Sequence, residues 1–313
     1  MNLNEKQETG TGSLSPLTHL VTPEETGRTL RDLLRNAMGV SYTALKSAKW
    51  GGRILVNGEA SHTDRRVVAG DRVSVAPDTD QPLYIPKPYD IPLKVAWMDE
   101  HLMVVDKPGG LASQSSLNHP DDSLENAVYS FLGCPEGFVY RPVNRLDKGT
   151  GGLMVIARSG HAQHLAQKML HTNQFRRRYL AWTDGIPPEP AGVLDAPIGK
   201  APGATIRREV TPEGKPSRTR YRVLRASEGR ALVLLELETG RTHQIRVHLS
   251  HIGCPVHGDF LYGTEDPAAF PGCFALHSAA LELIHPLTGK YIRLTSRPSW
   301  VGEMDDSVFF VDF

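Results

Sequence analysis

Cysteine is scarce: Cys134, Cys254 and Cys273 are the only three in 313 residues, and they lie far apart. An odd, scattered set excludes a disulfide framework and a CxxC zinc site, and points to a reducing cytoplasm. Long apolar runs are missing too. None approaches the ~18 residues of a membrane span, and the polar stretch from Met1 to Pro16 lacks the apolar core of a signal peptide. Patterns of the GxGxxG, Walker A, Gly-x-Ser-x-Gly and His-Glu-x-x-His types do not occur, so several nucleotide, hydrolase and zinc chemistries have no motif here. His243, His248 and His251 cluster, but 243 and 248 are not an i,i+4 ligand pair, so no metal is expected. Net charge is also absent, with 35 Lys and Arg against 35 Asp and Glu.

That neutral total hides a segregated distribution. Arg28 to Arg72 carries nine bases against four acids, and Lys200 to Arg246 eleven against five. From Asp259 onward the balance reverses, to eight acids against three bases. Grouped positive charge is an electrostatic footprint for a polyanion. Between Arg141 and Trp182, eight bases surround a single acid, Asp147. A lone carboxylate in such a setting is natural for a reactive group beside a polyanion. The branched apolar run Leu153–Ala157 after it predicts a buried strand. Asp147 is then on a turn feeding a rigid strand, a suitable place to fix a catalytic group.

The chain divides into four stretches. Residues 1–20 are polar and predict a flexible leader. In 21–76, Leu30, Leu33, Leu34 and Ala37 have helical spacing, and Gly39 suits a helix stop. Ser41 can cap a second helix, and Asn57-Gly58 after Ile54-Leu55-Val56 is a hairpin signal. Residues 77–92 hold Pro77, Pro82, Pro86, Pro88 and Pro92, which predicts a stiff, extended linker. From 93 to 313, many strands and few helices predict an α+β domain on one curved, mainly antiparallel mixed β-sheet flanked by helices.

The Gly27–Arg31, Ser41–Lys46, Ile54–Gly58 and Gly70–Val73 elements of the second stretch resemble the S4 RNA-binding module. The resemblance implies that Arg28, Arg31, Lys46, Lys49 and Arg53 face structured RNA. Further on, Asp106–Leu111, Asn144-Arg145-Leu146-Asp147, Tyr179, Gly240–Arg246 and Pro255–Gly263 resemble the RluA-type pseudouridine synthases, in the same order. That family turns RNA uridine into its C-glycoside isomer without a cofactor. The resemblance implies that Asp147 is the catalytic carboxylate, either attacking C1′ or abstracting a sugar proton. It implies that Tyr179 stacks on the target base and that Arg246 pairs with Asp147. Arg241 is a second choice for that pairing, or a phosphate ligand. Arg145 fills the gap left by the flipped base or binds its phosphate, His243 contacts RNA, and Leu276 lines the uracil pocket. Large ribosomal RNA is the favoured substrate, tRNA the runner-up, and a monomer is implied.

Each residue alone also has a plainer reading: Asp147 as a turn cap, Tyr179 as core, Arg246 as a surface phosphate ligand. A catalytically inactive RNA-binding ribosome-assembly factor would use the same basic segments, but has no need of Asp147. A glycoside hydrolase needs two poised carboxylates, and only one is found. Three positions depart from the commoner family pattern. Asn144 replaces His, Gly149 an acid and Gly151 Ser, and the two glycines predict a more flexible loop.

Overall fold

The computed structural model describes residues 16–50, 52–76, 84–311 and 313. Its N-terminal unit is a four-stranded antiparallel sheet of β1 (Leu17–Leu20), β2 (Ile54–Val56), β3 (Glu59–Ala60) and β4 (Arg72–Val75), in the order β1-β4-β2-β3. Against it pack α1 (Leu30–Asp32), which widens into π-type turns over Leu33–Ala37, and α2 (Tyr42–Trp50). Thr29 caps α1 by accepting from the Asp32 amide, and Ser41 Oγ accepts from Ala44 N. Asn57 and Gly58 turn the β2–β3 hairpin with φ of 54° and 87°, the left-handed pair such a turn requires. Leu30, Leu33, Leu34, Ile54, Val56 and Val73 close a separate small core.

Two stretch boundaries read from the sequence are corrected. Leu17–Leu20, assigned to the leader, is a strand paired residue for residue with β4. Val21 behind it is buried, so this polar-looking stretch carries enough apolar side chains to complete a sheet edge. Residues 84–92, assigned to the linker, are docked on the larger body. The Tyr84 hydroxyl donates to Glu125, Asn126 Nδ2 donates to the Lys87 carbonyl at 2.9 Å, and Tyr89 and Ile91 pack on the main core. Proline leaves no amide to satisfy, so an extended chain can lie against a helix with only its carbonyls needing partners. The rest of the linker, 77–83, lies outside the described residues, as does the leader's first part, 1–15.

The larger body holds β5 (Lys94–Met98), β6 (Leu102–Lys107), α3 (Leu124–Phe131), β7 (Gly151–Ala157), α4 (Gly160–Met169) and β8 (Phe175–Asp184). Then come β9 (Ala191–Asp195), β10 (Ile198–Lys200), β11 (Arg208–Val210), β12 (Arg218–Ser227) and β13 (Arg230–Leu237). α5 (Gln244–His251), β14 (Leu276–Ile284) and β15 (Tyr291–Thr295) complete it. Nine of these strands form one mixed sheet in the order β5-β6-β7-β14-β8-β13-β12-β9, with β15 on β14, while β10 and β11 form a separate ribbon. Among the described residues of that sheet, only the β7–β14 strand pairing is parallel, with Gly151 opposite His277 and Gly152 opposite Ser278. A side chain at Gly152 would strike the Ser278 carbonyl, so the two strands come together there because no Cβ intervenes.

Every residue of β7 is buried. Met154 and Ile156 face one core, under α3 and α5, and Leu153 and Val155 face the other, under α4. Burial of each such side chain contributes about 1.5–3 kcal/mol. The parallel junction matters most for the site. The segments entering β7 and β14 arrive at the same end of these two parallel strands, and so bring Asp147 and Leu276 together.

Candidate active site

The loop before β7 is fastened along its length. Asn144 is buried, and its Oδ1 accepts from Val155 N at 2.9 Å. Ser113 Oγ donates to the Leu146 carbonyl at 2.5 Å and accepts from the Leu146 amide at 3.2 Å. Thr150 N donates to the Asp147 carbonyl, and Gly110 N to the Lys148 carbonyl. Lys107, 1% exposed, donates to the carbonyls of Pro108, Leu111 and Lys148 at 3.0, 2.7 and 3.3 Å. Burial lowers its pKa to about 7, while the charge of Asp147 acts to raise it.

The expected flexibility at Gly149 and Gly151 is therefore a misreading. Both are buried. A Cβ on Gly149 would come within 2.4–2.9 Å of three Phe274 ring carbons, and one on Gly151 within 3.0 Å of His277 Nδ1. Glycine serves here as room for a neighbour, not as a hinge. Asn144 likewise spends its side chain on the β7 backbone.

The Asp147 side chain, 27% exposed, emerges from this frame towards Arg246 of α5, whose Nη1 donates to Oδ2 at 3.1 Å. Arg246 is 3% exposed and is itself held by Asp259, 0% exposed, through Nε to Oδ2 at 2.6 Å and Nη2 to Oδ1 at 2.8 Å. Such a two-point fork fixes the guanidinium plane. The rings of Phe274 and Tyr262 lie 4.4 and 5.0 Å from its central carbon. Burial alone would lower the Arg246 pKa, but the bonds and charge of Asp259, with those of Asp147, outweigh it and raise it.

His243 precedes α5 with φ 58°, a left-handed turn that aims its ring at the same carboxylate, Nε2 to Oδ2 4.0 Å. The Tyr262 hydroxyl accepts from Arg208 N at 2.8 Å and shares a hydrogen bond with His243 Nδ1 at 2.9 Å, which holds the ring in place. With Nδ1 bonded to Tyr262, Nε2 is the ring nitrogen that faces Asp147. Burial lowers the His243 pKa, against a raising effect of Asp147, and this agrees with a neutral ring.

Tyr179, 4% exposed, projects from β8 between Ser278 of β14 and Leu235 of β13. Burial raises its phenol pKa. It lines a narrow cleft of about 60 Å³ with Asp147, Arg145, Arg241, His243, Arg246 and Leu276. All seven site residues named from this part of the sequence thus meet in one place. Arg145 and Arg241 are exposed at its mouth, and Arg241 Nε donates to the Pro216 carbonyl. Arg28, Arg31, Lys46, Lys49 and Arg53 all belong to the N-terminal unit, and none lines the cleft. His248 is a structural residue, bonded to Thr219 Oγ1 and the Ala196 carbonyl.

Three contributors are not assigned by sequence reasoning: Asp259, Tyr262 and Lys107. Asp259 and Tyr262 lie in the Pro255–Gly263 block, and Lys107 in Asp106–Leu111. Those blocks are visible in the sequence, but the partners of their side chains are not.

Comparison with known proteins identifies the family. A family profile described as RNA pseudouridylate synthase matches residues 101–251. An uncharacterized RNA pseudouridine synthase of Bacillus subtilis, YjbO, is 36% identical, over 82% of this chain and 90% of its own. The ribosomal large subunit pseudouridine synthase D of Xanthomonas campestris is 32% identical, over 90% and 89%. That of Escherichia coli is 33% identical, over 87% and 88%. Among solved structures, human RNA Pseudouridylate Synthase Domain Containing 4 matches with TM-score 0.53 and 25% identity, over 66% of this chain and 89% of its own. Its Domain Containing 1 counterpart matches with TM-score 0.55 and 23% identity, over 69% and 87%, a likeness of fold. The chain belongs to the RNA pseudouridine synthases, in their RluA-type branch. It is an isomerase acting on uridine in RNA. Among the described residues, no helix is long and apolar enough to cross a membrane.

Proposed function

We propose that this enzyme modifies uridines of large-subunit ribosomal RNA, with Asp147 as its catalytic carboxylate. The observation that carries the assignment is the Asp147–Arg246 pair at 3.1 Å in a cleft shared with Tyr179 and Leu276. The reaction breaks N1–C1′, turns the uracil and joins C5 to C1′. The C5 proton leaves and N1 gains one, so product and substrate are isomers. The target base must leave its stack to reach such a cleft. Tyr179 faces the base, and stacking of this kind offsets extrusion by ~1–3 kcal/mol. Leu276 closes the opposite side, and Arg246 supplies the counter-charge for an ionised Asp147. Arg145 and Arg241 hold the phosphates beside the flipped nucleotide.

Residues 21–76, with β1 ahead of them, act as an S4-like RNA-binding domain through Arg28, Arg31, Lys46, Lys49 and Arg53. Residues 84–313 form the catalytic domain, and the enzyme works as a monomer in the cytoplasm. The choice of ribosomal RNA over tRNA rests on relatives whose names specify the large ribosomal subunit.

The test is a pseudouridine map of total RNA from cells with the gene, without it, and with Asp147→Ala. Sites in large-subunit RNA should vanish together in the last two. Sites retained by Asp147→Ala would refute the assigned chemistry, and sites confined to tRNA the assigned substrate.

A further inference from the structure

Asp147 stands between two hollows. Beyond the narrow cleft lies a cavity of about 520 Å³, whose lining includes Asp147, His243 and Arg246 but not Tyr179 or Leu276. It is within the ~300–1,000 Å³ range of ligand pockets, and is far larger than the cleft assigned above to uracil. Two large apolar side chains on its wall, Phe260 and Ile206, are left 56% and 54% exposed. The Phe260 ring is the outermost of three around the Arg246 guanidinium, at 5.8 Å. Arg246 is already held by Asp259 and by the closer rings, so Phe260 is free to offer a face to a ligand.

We propose that this cavity receives the base of a nucleotide next to the target uridine, stacked on Phe260. The inference rests on the reading of the narrow cleft as the uracil site. Flipping one base deprives its neighbour of a stacking partner, and an exposed aromatic ring replaces that partner without regard to sequence. The cavity adjoins the cleft directly, as one phosphodiester step requires. Lys148, exposed in the same lining, offers a cation to the connecting phosphate. Glu265, the one acid of the lining besides Asp147 among the described residues, offers an acceptor to an exocyclic amino group.

The test uses the full chain and a single-stranded uridine decamer with one central 2-aminopurine, read by fluorescence. Wild type should quench the probe on binding. Phe260→Ala and Phe260→Leu should lose the quench and bind about tenfold more weakly, while Phe260→Trp should retain both. Equal quenching by Phe260→Ala and wild type would overturn the proposal and leave the exposed ring to some other partner. If Asp147→Ala still makes pseudouridine, the reading of the cleft fails, while the Phe260 comparison still decides this one by binding alone.

Discussion

Asp259 does not line the cleft, yet the aim of the cleft's cation depends on it. Breaking a buried ion pair from one side costs about 3–5 kcal/mol, because the remaining charge is stranded. Asp259→Ala should lower stability by an amount in that range in urea unfolding. In the fraction that stays folded, kcat should fall because Arg246 loses its fixed plane. Asp259→Asn keeps part of the hydrogen bonding and should recover stability more than activity. Gly149 makes a second case. Gly149→Ala places a methyl against the buried Phe274 ring and should cost about 1–3 kcal/mol, as overpacking does. Pairing it with Phe274→Leu should restore part of that loss, and additive losses would show that the two sites are independent. Asp147 could be picked out from local sequence because it is the one acid among the eight bases between Arg141 and Trp182. Gly149 could not be interpreted that way. Its reason is a ring that lies 125 positions later in the chain, and only the tertiary structure supplies it.

At the scale of elements, the strands that were legible are those with an apolar or alternating pattern, such as β7, β12 and β13. β9, β10 and β11 were not. They are short, half-exposed and interspersed with Gly192, Pro197, Gly199 and Pro202, so no periodicity marks them. The Pro-rich run misled in the opposite direction, since extended backbone docked on α3 has the same composition as a linker. β14 carries a testable pH dependence. His277 Nε2 donates to Ser296 Oγ, which donates to Asp106, and burial lowers the His277 pKa to about 4. His161 in α4 is also lowered to about 4, mainly by burial. Both bind protons more readily when unfolded, where a histidine titrates near 6.5. Their penalty is therefore absent above that value and grows as pH falls towards 4. Unfolding free energy should decline across that window, and His277→Gln should make the decline shallower. An unchanged slope would place the titration elsewhere.

For the whole molecule, zero net charge is no guide to its partner, because the basic segments and the acidic C-terminal stretch are separate in sequence. Salt dependence is the matching observable. Replacing Arg31, Lys46 and Lys49, all exposed on the N-terminal unit, with Ala should weaken RNA binding. It should also flatten the plot of log affinity against log salt by about 0.7–0.9 for each phosphate that is no longer neutralised. Turnover at saturating RNA should stay near wild type, since none of the three lines the cleft. A fall in kcat instead would tie that unit to the chemical step.

The loop that carries Asp147 is pinned by Lys107, Ser113 and Asn144 before any RNA arrives. With so little give on the protein side, adaptation falls to the nucleic acid. Two uridines in identical sequence should then differ as substrates by how cheaply their helix can be deformed. The softer one, at a bulge, a loop closure or a weakly stacked step, should be modified first, and equal rates on the same letters in a rigid duplex would refute this. Substrate choice would then be a measurement of RNA compliance.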